Sequence, residues 1–175
     1  MNLGTSLTAF TLFHVVVSLI AMGAGAVVVF GLLQSRILPR WTELFLTTAV
    51  LTSASALLLP HKGIDPARIV AVISLAVLAF AAIALYRHRL EGGWRSVYVV
   101  STLAALYFDV FVGVIQAFMK IEFLRVLAPT QKEPPFVAAQ LVVLILFVWL
   151  GVLAMKRFHP QAYTTDDAAL SQGQA

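Results

Sequence analysis

Apolar residues fall into five long segments along the chain, separated by short stretches that contain charges, prolines and glycines. A bilayer core about 30 Å thick requires about 20 residues of helix, and each segment reaches or nearly reaches that length. The pattern therefore predicts an all-α fold, an integral membrane five-helix bundle. The predicted helices are Leu7–Leu33, Trp41–Leu59, Pro66–Tyr86, Ser96–Met119 and Pro135–Met155.

The longest connection, Lys120–Pro134, divides into two parts of different character. Its first part, Ile121–Leu127, spaces apolar residues as a helix lying at a membrane interface does. Its second part contains Pro129 and Pro134 and cannot be helical throughout. We expect an ordered segment that is either a plain connector or a lid over one end of the bundle.

The composition agrees with a membrane protein and excludes several other classes. Of 175 residues, 61% are hydrophobic and 11% are charged, whereas soluble domains carry about 25% charged residues. Five spans leave a single transmembrane domain over residues 1–160 and a polar tail, 161–175, that we expect to be disordered. The chain has no cysteine, which excludes disulfides, thiolate catalysis and Cys-ligated metals.

Basic residues are shared unequally between the two sides of the predicted membrane. One side would carry seven: Arg36, Arg40, Arg87, Arg89, Arg95, Lys156 and Arg157. The other would carry five: Lys62, Arg68, Lys120, Arg125 and Lys132. The positive-inside rule then predicts the N-terminus outside and the C-terminus inside. Because the basic residues form no tract or stripe, the net charge of +4 does not indicate nucleic-acid binding.

Asp109 stands near the centre of the fourth apolar segment. A charged side chain at that depth costs roughly 2.5–3.5 kcal/mol on insertion scales, and such residues usually face the bundle interior. Helical spacing places Gln116 on the same face as Asp109, and we expect Thr102, Gln116, His14 or Gln140 to be the nearest polar neighbour of this carboxylate. The cost predicts either a structural hydrogen bond to a neighbour or a functional role, and the sequence favours neither.

Several polar residues share the predicted outer half of the membrane, with Asp109 below them as a floor. They are His14, Ser18, Ser55, Ser74, Gln116 and Gln140. From this depth pattern we predict a polar pocket open to the outer side, formed by Asp109, Gln116, His14, Gln140, Ser18 and Ser55. The inner halves of helices one, three and five are apolar, which argues against a continuous aqueous channel. Interhelical hydrogen bonding, worth about 0.6 kcal/mol per bond, is the structural alternative for these side chains.

The four histidines raise the question of a haem held between two helices. His61 follows Pro60 outside the second helix, and His88 and His159 belong to the predicted inner surface. None of them shares the depth of His14. Haem ligation through His14 is therefore the weaker hypothesis, no cofactor is predicted, and no spacing of ligands on one helix indicates a metal site.

Two stretches resemble small multi-spanning inner-membrane proteins of proteobacteria. One reads Ala128-Pro129-Thr130-Gln131-x-Glu133-Pro134-Pro135-Phe136, followed by Ala139-Gln140-Leu141-Val142, and the other reads Phe13-His14-Val15 before Ser18 and Gly25. The resemblance covers nearly all of residues 1–160. It implies a membrane fold and a cell inner membrane location, and carries no activity. It also implies an amide in place of Asp109 in similar proteins, which favours a hydrogen-bonding role over a carboxylate-specific one.

Three classes of function compete. The leading hypothesis is a non-enzymatic membrane protein, either a binding or transport element or an accessory subunit of a membrane complex. Its partners would be membrane lipid and copies of itself or other subunits. The alternative is a redox protein that binds haem or quinone in the pocket. A lipid-modifying enzyme using His14 and Asp109 as an acid–base pair is third, because no serine motif, HExxH or acidic metal cluster supports it.

Overall fold

A computed structural model describes residues 3–58 and 66–159 of the chain. This part is helical throughout, apart from turns and short connections. The helices are α1 (Leu3–Leu33), α2 (Pro39–Leu58), α3 (Pro66–Ala82, continued by a π-helical turn, Ile83–Arg87), α4 (Trp94–Lys120), α5 (Glu122–Leu127) and α6 (Pro134–Arg157). The predicted tail 161–175 and His61, predicted to lie outside the second helix, are not among the described residues.

The five predicted long helices are confirmed among the described residues, and all five are long and apolar enough to span a membrane. Their ends differ slightly from the prediction, because α1 begins at Leu3 and α4 at Trp94. Proline stands at the first position of α2, α3 and α6. Its missing N–H is harmless there, since no carbonyl of the helix would receive it.

The turn between α3 and α4 contains a π-helical turn and two left-handed residues, which were not predicted from the sequence. The last turn of α3 widens to a π-helix, in which the His88 N–H donates to the Ile83 carbonyl at 3.2 Å. Arg89 and Leu90 then adopt left-handed backbone angles, with φ of 46° and 62°. These angles are strained for residues with a side chain. Burial of the Leu90 side chain compensates for the strain.

The apolar core lies between α1, α2, α3 and α4. Phe45 and Tyr98 are among the largest side chains that are fully buried in it. The helices approach closely at Gly25 on α1, where an added Cβ would lie 2.6 Å from Leu106 and 2.9 Å from the Phe45 ring. Gly25 therefore allows α1 to pack closely against α2 and α4.

Helix α6 packs against α4 and α1 along one face, and most of its other side chains are exposed. Its C-terminal end is fixed by polar contacts. The Arg95 guanidinium donates to the Phe158 carbonyl at 2.6 Å, and the His159 N–H donates to Ser35 Oγ at 2.8 Å. The Arg95 contact satisfies a carbonyl that follows the last helical turn, where intrahelical donors have run out.

The connection between α4 and α6 is ordered by its own hydrogen bonds. The predicted helix within it is observed as α5, and the long helix that α5 mainly contacts is α4. The Glu133 carboxylate accepts hydrogen bonds from the Thr130 N–H and hydroxyl and from the Lys132 N–H, at 2.8 to 3.1 Å. This carboxylate organises the bend that precedes the first turn of α6.

Candidate functional site

A cavity of about 600 Å³ lies between α1, α2, α3 and α4. It occupies the end of the bundle at which α1 and α3 begin and α2 and α4 end, hereafter the N-terminal end. Its walls are mostly apolar, with polar groups spaced along its length. The polar and charged residues that line it are Thr11, His14, Ser18, Thr52, Ser53, Ser74, Asp109, Gln116 and Lys120.

The structure brings together four of the six residues that the sequence analysis assigned to the pocket. His14, Ser18, Asp109 and Gln116 line the cavity. Ser55 stands behind His14 and contacts the cavity only through it. Gln140 lies on α6, outside the cavity wall, where its side-chain amide donates to the Phe111 carbonyl at 3.2 Å.

A short hydrogen-bonded chain fixes the imidazole of His14. Its Nδ1 lies 2.7 Å from Ser55 Oγ, and the Ser55 hydroxyl donates to the Thr52 carbonyl at 2.9 Å. When the Ser55 hydroxyl donates to the Thr52 carbonyl, its single proton is used and Ser55 accepts from His14. In that arrangement Nδ1 carries the proton of the neutral ring, and Nε2 is left as a hydrogen-bond acceptor.

Asp109 lies at the deep end of the cavity and has no hydrogen-bond partner among the described residues. Its Oδ2 atom is buried. Lys120, also on α4, is eleven residues further along the helix, which separates the two by roughly 16 Å at the usual rise per residue. Met22 of α1 lies level with Gly113, which is one helical turn from Asp109 on α4. His14 lies two helical turns before Met22, toward the open end of the cavity.

The predicted polar neighbours of Asp109 were Thr102, Gln116, His14 and Gln140. The structure places none of these within hydrogen-bonding distance of the carboxylate. The separation of Asp109 from His14 follows from the antiparallel packing of α1 and α4. Residues nearer the C-terminus of α4 lie level with residues nearer the N-terminus of α1, so His14 lies level with the end of α4 rather than with Asp109. The residues share one cavity and stand at its opposite ends.

Two further residues of the cavity, Thr52 and Ser74, carry buried hydroxyls without a hydrogen-bond partner among the described residues. Ser74 was placed at the right depth by the sequence but was not included in the predicted pocket. Thr52 was not distinguished from the other hydroxyl residues of α2. The position of Thr52, one helical turn before Ser55, places it at the level of Ser18, and this spacing could have identified it as a cavity residue.

The mouth of the cavity is formed by the exposed end of α4. Gln116 and Lys120 are exposed there, and Ile121 is the one lining residue from the connection between α4 and α6 among those described. Helix α5 itself does not line the cavity. The structure thus shows a connector rather than a lid in this part of the chain.

The described histidines are too far apart to ligate one haem iron. His88 stacks on Trp94 at the end of the bundle opposite the cavity, with ring centroids 3.8 Å apart. The backbone of His159 is bonded to Ser35 at that same end. Within residues 3–58 and 66–159 no group of three metal-ligating side chains converges.

Comparison with known proteins adds no assignment. No protein-family model, curated protein or solved structure matches this chain. The cavity is therefore interpreted from its own residues.

Proposed function

We propose that this chain is a non-enzymatic protein of the cell inner membrane that binds a small, largely apolar ligand in the cavity at the N-terminal end. One observation carries the proposal. Thr52 Oγ1, Ser74 Oγ and Asp109 Oδ2 are buried and have no hydrogen-bond partner in the described part of the chain, and all three residues line this cavity. Cavities of 300–1,000 Å³ with apolar walls and a few placed polar groups are typical of small-molecule sites.

The energetic cost of these three atoms supports a bound partner. A buried polar atom without a hydrogen bond costs about 1–3 kcal/mol, so three of them together cost several kcal/mol. A ligand with matching polar groups would recover part of that energy on binding. Ordered water is the competing explanation, because a water molecule with two to four polar partners satisfies such atoms equally well.

The membrane location is supported by the surface of the bundle. Large apolar side chains are exposed on all five long helices, and α6 is the most exposed of them. Such a continuous apolar surface requires lipid or another protein to cover it. The excess of basic residues at the opposite end would direct that end to the cytoplasm, which places the cavity in the outer half of the membrane.

The test is to identify what occupies the cavity. We expect a small organic molecule to be extracted from protein purified in lipid nanodiscs and detected by mass spectrometry. The Thr52→Val and Ser74→Ala variants should carry less of it. Thr102→Val is the matched control, because Thr102 also has a buried hydroxyl with no partner among residues 3–58 and 66–159 and lies outside the cavity wall. Equal occupancy in all four proteins would contradict the proposal.

A redox protein that binds a quinone is the second candidate, and His14 is the observation in its favour. Its Nε2 is an acceptor on the wall of an apolar cavity, and it could receive a hydrogen bond from the hydroxyl of a hydroquinone. An absorbance spectrum of the purified protein and analysis of its lipid extract test this candidate. A haem Soret band or a stoichiometric quinone would promote it above simple binding.

A further inference from the structure

The hydrogen bonds within the cavity wall determine which chemical groups its ligand can use. Ser18 donates its hydroxyl proton to the Val15 carbonyl at 2.9 Å, so toward the cavity its oxygen can only accept. The Ser55 hydroxyl is likewise committed to the Thr52 carbonyl, which leaves His14 Nε2 as an acceptor. The Ser18 oxygen and His14 Nε2 therefore both accept hydrogen bonds from a molecule in the cavity.

Asp109 extends this pattern to the deep end of the cavity. In its ionised form the Asp109 carboxyl group offers only acceptor oxygens, and its Oδ2 has no partner among the described residues. Lys120 is the one lysine or arginine among the described residues that line the cavity. It stands roughly 16 Å away along α4, well beyond ion-pairing distance. Among the described residues, the cavity wall therefore places no lysine or arginine beside this carboxylate.

We infer that the ligand is an apolar molecule bearing a hydrogen-bond-donating head group, best matched by a protonated amine, whose head reaches Asp109. This inference rests on the proposed binding function and adds the chemical class of the ligand. An ammonium group supplies both the donor protons and the positive charge that the deep end lacks. The apolar body would then lie against the Met22, Phe108 and Val112 side chains of the wall.

The experiment compares three probes that share one adamantane cage and differ in head group: 1-adamantylamine, adamantane-1-carboxylate and 1-adamantyl methyl ketone. Binding is measured at pH 7 to the full-length protein in nanodiscs of neutral phosphatidylcholine, which contribute no net charge. We expect the amine to bind about tenfold more tightly than the other two, since charge-assisted hydrogen bonds are roughly twice as strong as neutral ones. The ketone can only accept, and the carboxylate would meet Asp109 as a like charge.

The variants assign that preference to one residue. Asp109→Asn keeps the size of the side chain and removes its charge, so the amine should bind it no more than about twice as tightly as the ketone. Thr102→Val, outside the cavity wall, should keep the tenfold preference. A common elution volume and thermal midpoint for the three proteins would exclude misfolding as the cause.

Each other outcome is decisive. Tightest binding of the ketone or the carboxylate, or an amine preference that survives in Asp109→Asn, would overturn the inference and leave the binding function standing. If no probe binds, the molecule extracted from the purified protein decides, and a head group without a donor would also overturn it. If no probe binds and nothing is extracted, the proposed function fails together with the inference.

Discussion

Gly25 is the residue at which α1 has least room for a side chain. A Cβ there would lie 2.6 Å from Leu106 Cδ1 and 2.9 Å from the buried Phe45 ring, whereas a Cβ at Gly23 would meet nothing within 4 Å. Overpacking a core costs about 1–3 kcal/mol, while replacing glycine by alanine within a helix gains about 1 kcal/mol. We therefore expect Gly25→Ala to lower the thermal midpoint and Gly23→Ala to leave it unchanged or raise it. Equal midpoints in detergent would contradict this packing.

The sequence could supply the depth of each polar residue but not its partner. Depth follows from counting residues along a helix, and on that basis His14, Ser18 and Asp109 were expected at the interior; in the structure all three line the cavity. Partners depend on how the helices are rotated and crossed. Gln140 faces the Phe111 carbonyl rather than the cavity for that reason, and Asp109 has no described polar partner.

Helix α6 packs against α4 and α1, and Arg95 provides a polar contact at its C-terminal end. Its guanidinium donates to the Phe158 carbonyl at 2.6 Å, beside the packed rings of Tyr98 and Phe158. We expect Arg95→Gln to destabilise the protein by about 1 kcal/mol, below the usual value for charged hydrogen bonds because the site is partly exposed. Hydrogen exchange should show faster opening of the last turn of α6. Arg87→Gln, an exposed arginine nearby, is the control and should change neither quantity.

The bend before α6 should be sensitive to acid through Glu133. Desolvation opposes the shift, but the hydrogen bonds from Thr130 and Lys132 outweigh it and lower the pKa of Glu133 below its usual 4.5. A group whose pKa is lowered by folding stabilises the folded state above its unfolded pKa, and this stabilisation is lost as the pH falls through the folded value. Protection of the Thr130 and Lys132 amides should therefore persist at pH 6 and disappear below the folded pKa of Glu133. Glu133→Gln should lack this pH dependence, and protection that is independent of pH in the unmodified protein would refute it.

Long apolar segments predicted the helices well because the length needed to cross a bilayer is a strong constraint on the sequence. The amphipathic spacing of Ile121–Leu127 likewise predicted α5, since it is a local property. The π-helical turn at Ile83–Arg87 was not predicted; the turn that follows it buries the Leu90 side chain. Sequence periodicity thus determines where helices form, and packing determines how they end.

At the scale of the whole molecule, the orientation of the bundle decides which side of the membrane the cavity faces. The chain has no cysteine, so a single introduced cysteine is a unique reporter of its side. We expect Lys132→Cys, in the connection before α6, to react with a membrane-impermeant maleimide in intact spheroplasts. Glu91→Cys, in the turn between α3 and α4, should react only after permeabilisation. Both positions border the predicted spans rather than lying within them.

The expected labelling pattern follows from the seven basic residues at one end of the bundle against five at the other. The reverse labelling pattern would place the cavity toward the cytoplasm and would require its ligand to be sought there.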